Sequence, residues 1–224
     1  ERRKLLKDFG LNIYRPKRPG SFWVRTTALG SYREVGRACH LVTSNESRVM
    51  IDVGVNIASD TDPMPYFTAP EALPMEKMDA VILTHAHLDH AGMLPVLFRY
   101  GYRGPVYCTP PTRDMMLLLQ SDYLKVGGSE GKRAPYDMED IRTCMKHVID
   151  VDWGQTVDIA PDMELTFHNA GHILGSSSVH LHVGDGKHNI VFSGDQKYEK
   201  SWLFDAANTR FPRCETLVIE STYG

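Results

Sequence analysis

Short apolar runs and alternating segments set the organisation of the chain. From Phe22 to Leu29, β-branched and aromatic residues predict a strand. Ala38–Thr43 and Arg48–Val53 predict two more, divided by the turn-forming run Ser44-Asn45-Glu46-Ser47. Ala80–Leu83 is apolar throughout and reads as a buried strand. Leu88–Tyr100 has helical spacing, with Leu94, Leu97 and Phe98 on one face. A strand follows at Pro105–Cys108, then helices at Thr112–Val126 and Met138–His147. The last third alternates short strands: Val148–Val151, Met163–Phe167, Val179–Val183, Ile190–Ser193 and Leu217–Ile219. Residues 1–10 predict a short helix, Arg15–Gly20 a Pro- and Arg-rich linker, and Pro63–Pro74 a proline-rich loop. Strands, then helices, then strands fit a layered α/β domain, although periodicity does not choose its topology.

The 224 residues suffice for one sizeable domain or two small ones. With 42% hydrophobic and 24% charged residues, the composition is that of a soluble globular protein. No apolar run approaches the roughly 18–20 residues that span a bilayer, and the charged start lacks the apolar stretch of a signal peptide. The expectation is a cytoplasmic protein with no membrane partner. Cys39, Cys108, Cys144 and Cys214 lie far apart and form no C-x-x-C pair, so reduced, mostly buried thiols are expected. The net charge of −3 hides an asymmetry. Residues 1–25 hold eight basic and two acidic residues, against 17 and 26 in the remainder. Two readings stand: a basic arm that touches a polyanion, or a solvated linker. Residues 1–20 are therefore set apart as a basic leading segment from a domain covering 21–224.

The chemistry concentrates in Thr84-His85-Ala86-His87-Leu88-Asp89-His90-Ala91-Gly92. Four metal-capable side chains fall within six residues, directly after a predicted strand. In extended backbone, residues two apart point the same way, so His85 and His87 can grip one ion. Asp89 and His90 follow as the chain turns into a helix and can reach a second. Imidazole suits zinc, and carboxylate adds a hard oxygen ligand. Two later signals complete a set: His172 between Gly171 and Gly175, and Asp195 in Ser193-Gly194-Asp195, each at the end of a predicted strand. His85, His87 and His172 would hold one metal, Asp89 and His90 the other, and Asp195 could bridge both.

His-x-His-x-Asp-His, then Gly-His, then Ser-Gly-Asp, in that order, resembles the metallo-β-lactamase superfamily. That resemblance implies an αββα sandwich, of which this chain is the N-terminal part, and two zinc ions per complete site. Asp52 matches the superfamily's first acidic motif and is implied to orient the site without binding metal. The runs Gly30–Arg37, Gly171–Ser176 and Glu220-Ser221-Thr222-Tyr223-Gly224 further resemble the β-CASP nucleases, in particular the archaeal cleavage and polyadenylation specificity factor group. In that family a β-CASP domain follows the Glu-Ser-Thr-Tyr-Gly run, and beyond that insertion lie a further ligand to the second metal and a proton-donating histidine, which Glu220 is implied to hold. RNA-binding KH domains lie upstream there. Both are expected to be missing partners of the same protein, the second zinc is expected to bind weakly in this part alone, and the full-length protein is expected to allow a homodimer.

The resemblance implies a zinc-dependent ribonuclease of RNA 3'-end processing or transcription termination, acting on single-stranded RNA as an endonuclease, with 5'-3' exonuclease action also open. Asp89, Asp195 and Glu220 are the implied catalytic residues. Two alternatives are kept: a lactamase- or thioesterase-type hydrolase, and an inert RNA-binding or scaffold fragment. His40, His147, His168, His180, His182 and His188 are expected to be structural, with His180 and His182 pairing with polar partners along a strand. Trp23, Trp153 and Trp202 are expected to serve packing.

Overall fold

The computed structural model describes residues 1–59, 61–129 and 134–222. Among the described residues there are five α-helices, α1 (Arg2–Ile13), α2 (Leu88–Ala91), α3 (Leu94–Arg99), α4 (Pro110–Ser129) and α5 (Met138–His147), and two short 3-10 turns, Pro70–Ala72 and Met75–Lys77. The strands of the first half are β1 (Val24–Gly30), β2 (Cys39–Ser44), β3 (Arg48–Ile51), β4 (Ala80–Ile82), β5 (Val106–Cys108) and β6 (Val148–Asp150). They form one sheet in that order, antiparallel from β1 to β3 and parallel from β3 to β6. The second half supplies β7 (Thr156–Ala160), β8 (Met163–Asn169), β9 (Ser177–Val183), β10 (His188–Phe192) and β11 (Thr216–Val218), in the order β11-β10-β9-β8-β7.

Alternation along the strands divides the core in two. Val49 and Ile51 of β3 face the second sheet and meet Phe167, Leu181 and Ile190, while Met50 faces the helices and packs with Leu94 and Leu97. A strand buried on both faces must be apolar throughout, and Ala80-Val81-Ile82 is. The predicted 88–100 helix breaks into α2 and α3, because Pro95 near the start of α3 cannot donate back to Ala91. The amide of Gln120 takes the freed Ala91 carbonyl at 2.8 Å. The strand β7 is additional to those predicted; its polar–apolar alternation, Thr156-Val157-Asp158-Ile159, is only four residues long. The prolines at 110 and 111 open α4, where their missing N–H groups leave nothing unpaired.

The leading segment is docked on this body. Phe9 is buried against His147, and the Arg15 guanidinium pairs with Asp79 at 2.7 Å and donates to the Glu46 carbonyl at 2.7 Å. All four cysteines are free, three of them buried and Cys214 exposed. The packing expected of the tryptophans fails most clearly at Trp202, which is fully exposed; Trp23 and Trp153 are also solvent-facing. No described helix is long and apolar enough to cross a membrane.

As expected, His182 pairs with Thr166 and Asn189. His180, only 1% exposed, leaves its Nε2 without a partner, and burial together with His182 and His168 lowers its pKa to about 4. The unfolded chain takes up this proton near pH 6.5, so between about 6.5 and 4 it binds more protons than the fold. Stability should therefore fall as pH drops through that window. Urea midpoints at pH 7 and 5 test this: His180→Asn should flatten the dependence, and an unchanged slope would contradict the assignment.

Candidate metal centre

Every predicted ligand follows the C-terminal end of a strand. β3 and β4 are parallel, so Asp52 and His85 emerge at the same end of the first sheet. β8 and β10 are both antiparallel to β9, so His172 and Asp195 emerge together from the second. The sheets are joined at this end by the Ser177 N–H, which donates to the Thr84 carbonyl at 2.8 Å.

His85, His87, His172 and Asp195 converge, each offering one ligand atom, all within 4.8 Å of one another. His87 Nδ1 lies 3.1 Å from His85 Nε2 and 3.3 Å from His172 Nε2. Asp195 Oδ2 lies 3.4 Å from His172 Nε2 and 3.8 Å from His85 Nε2. A tetrahedron with metal–nitrogen bonds of about 2.05 Å has edges of roughly 3.3 Å, so this donor set fits zinc. The other oxygen of Asp195, Oδ1, lies 3.2 Å from His90 Nε2, which is 3.7 Å from Asp89 Oδ2. One carboxylate thus faces two donor groups, as a bridging ligand must.

Tautomers are set from behind. Asp52 accepts from the Thr84 N–H, the Thr84 hydroxyl and His90 Nδ1, each at 2.8 Å. Its backbone is in the left-handed region at φ 59°, rare for a non-glycine residue and a mark of a functional constraint. With Nδ1 of His90 donating to Asp52, Nε2 is the ring nitrogen aimed at the Asp89–Asp195 side. The Thr84 hydroxyl donates to Asp52 and so accepts from His85 Nδ1 at 3.0 Å, which frees His85 Nε2. Thr84 is the functional residue that sequence reasoning missed; its position next to His85 at a strand end was the available signal. Replacing Asp52 by Asn leaves one of three donors facing an NH2 group. Zinc affinity should fall roughly 10- to 100-fold in a chelator competition, with the circular dichroism retained. Unchanged affinity would remove Asp52 from the orienting role.

Electrostatics follow the same geometry. Burial, then the charges of His90, His87 and His172, hold His85 well below the usual imidazole range. Burial and His172 also lower His87. Burial works against charge on His90, yet Asp52 and Asp195 hold it well above that range. Asp195 is lowered, because hydrogen bonding from His90 and the imidazole charges outweigh its burial.

The remaining predicted residue, Glu220, stands beyond the ligands. Its Oε1 accepts from the Gln196 N–H at 2.7 Å and its Oε2 from the Thr222 hydroxyl at 2.8 Å, so it ties the end of β11 to the residue after Asp195. Tyr223 and Gly224 of that run lie outside the described residues. A cleft of about 660 Å³ opens here, lined by Asp89, His90, Asp195 and Glu220 together with the Ser31–Gly36 loop. His40 also lines it, edge-on to Tyr32 and tilted against Phe192, and joins no metal-capable group among the described residues.

Two facing sheets with a His/Asp donor set at one end define the class, and the chain belongs to the metallo-beta-lactamase superfamily, whose domain model matches residues 41–217. Among curated proteins it is 56% identical over its whole length to the transcription termination factor FttA of Methanosarcina mazei. It is 54% identical to that of Thermococcus kodakarensis and 47% identical to that of Lokiarchaeum. The chain spans 35% of the length of the Methanosarcina relative, and 36% and 34% of the other two. Solved structures support the fold. The metallo-beta-lactamase fold protein YhfI of Bacillus subtilis aligns at TM-score 0.50 and 20% identity, over 79% of this chain and 64% of that one. A protein of unknown function from Enterococcus faecalis aligns at 0.55 and 16%, over 80% of this chain and 44% of that one.

Proposed function

We propose that this chain is the main metal-ligand part of a zinc-dependent ribonuclease acting in RNA 3'-end processing or transcription termination. The observation that carries the reading is Asp195, whose two oxygens face two separate donor groups. His85, His87 and His172 would hold one zinc, Asp89 and His90 the second, with Asp195 between them. Bound there, zinc supplies Lewis acidity: it makes water a nucleophile near neutral pH and offsets phosphoryl charge. The residues of the chain do the rest. Asp52 and Thr84 fix the imidazoles, and Asp89 and Asp195 present their carboxylates to the cleft. Glu220 holds the segment after Asp195 in register.

RNA as substrate rests on the likeness to transcription termination factors along the whole chain. The unmatched length of those relatives leaves room for the β-CASP and KH domains that the sequence implied, and for a proton-donating histidine. A cytoplasmic setting fits the same reading. The test compares a labelled single-stranded RNA with a chromogenic lactam, using the zinc-loaded full-length protein. Cleavage of RNA without lactam turnover is expected. Lactam turnover alone would establish the small-molecule hydrolase, and zinc without either activity would establish the scaffold alternative.

A further inference from the structure

The loop between β1 and β2 supplies no metal ligand, yet its backbone is held under strain. Ser31, Arg33, Gly36 and Arg37 have φ of 67°, 61°, 105° and 44°. A left-handed non-glycine residue costs about 1–2 kcal/mol, so three in seven persist only where the surroundings impose them. Arg37 does the imposing. It is 7% exposed and stacks 4.6 Å from the Tyr66 ring centre. Its guanidinium pairs with Glu34 at 2.7 Å and Asp62 at 2.6 Å and donates to the Met64 carbonyl and the Tyr66 hydroxyl. Glu34 in turn accepts from the Ser31 N–H, which closes the loop on itself. The next residue, Ala38, donates its N–H to the Asp89 carbonyl at 2.8 Å, so the loop is fixed to the backbone of the metal centre.

What the loop carries outward is Arg33. Arg37 occupies Glu34 and Asp62, and Arg33 is left exposed with no ion pair or side-chain hydrogen bond among the described residues. It is the one lysine or arginine among the described lining residues of the cleft, whose carboxylates include Asp89, Asp195 and Glu220. Beside it Tyr32 is half-exposed, with its hydroxyl 3.4 Å from His40 Nδ1. An arginine on a loop held by Arg37, lining the same cleft as Asp89 and Asp195, matches a phosphate of the substrate strand.

We propose that the 31–36 loop is a phosphate-binding arm. Arg33 takes a backbone phosphate of single-stranded RNA next to the one being cut, and Arg37 is the positioning residue that fixes the arm. This rests on the ribonuclease reading above. The experiment uses the zinc-loaded full-length protein, with cleavage of a labelled RNA and anisotropy of a cleavage-resistant phosphorothioate RNA at several salt concentrations. Arg33→Gln should raise KM roughly tenfold with kcat and zinc content retained. The slope of log affinity against log salt should become shallower by about 0.7, the share of one phosphate on a single strand. Arg33→Lys should restore that slope. Arg37→Lys should raise KM in the wild-type background and add little to Arg33→Gln, since it acts through Arg33. Unchanged KM and slope in Arg33→Gln would overturn the arm. If the wild type cut no RNA, the ribonuclease reading would fall, and the anisotropy would still decide whether Arg33 holds a phosphate.

Discussion

Asp195→Asn in the full-length protein should, on the proposed ribonuclease reading, lower RNA cleavage by about a thousandfold or more and reduce the zinc bound, with the fold intact. Asp195 is the only described carboxylate that reaches both donor groups, with Oδ2 towards His172 and His85 and Oδ1 towards His90. An asparagine amide keeps the shape and one oxygen, but turns an NH2 group on the other set and removes the charge. Polarisation by a metal is worth several kcal/mol of barrier, and each 1.36 kcal/mol is tenfold in rate, which gives the expected size. Elemental analysis and single-turnover cleavage check it. Two ions and near-normal turnover in the variant would show that Asp195 does not bridge.

Gly54→Ala should destabilise the protein by about 3 kcal/mol and weaken the second zinc. The cost is steric and falls on backbone. A Cβ at Gly54 would stand 1.6 Å from the Asp89 carbonyl oxygen and 2.7 Å from the Ala38 nitrogen, and neither can swing aside. Three hydrogen bonds hold this close approach: Ala38 to Asp89, Gly54 to Ala38, and Val53 to the His90 carbonyl at 2.6 Å. Relief of the clash must shift the 52–55 loop or the Asp89–His90 segment, and so disturb the second donor group. Thermal unfolding and zinc titration of the variant read the two effects together. A variant with wild-type stability would mean that the 52–55 loop and α2 are not packed as described.

The candidate ligands were legible because their chemistry is local and dense. His85, His87, Asp89 and His90 crowd into one strand-to-helix turn, and His172 and Asp195 each end a strand. The pairing of strands that brings the two sheet ends together was not written in any window of sequence, since β4 and β10 never pair. Thr84 escaped notice for the same reason: its role depends on Asp52, 32 residues away. The tryptophans show the opposite error. Apolar character suggested packing, but Trp202 sits at the corner of a turn closed by the Ser201 N–H on the Phe204 carbonyl, with nothing packed over it among the described residues. Likewise the break between α2 and α3 needed Gln120 of α4 to be seen.

The most direct test of the central claim is zinc per chain, measured on the wild type and on His87→Ala after zinc reconstitution of folded protein. His87 Nδ1 stands between His85 and His172, at 3.1 Å and 3.3 Å, so its removal opens the first donor group. On the proposed reading the wild type holds at least one zinc ion tightly, with the second weaker in this chain alone, and the variant loses the first. Folded wild-type protein that retains no zinc would contradict the metal centre.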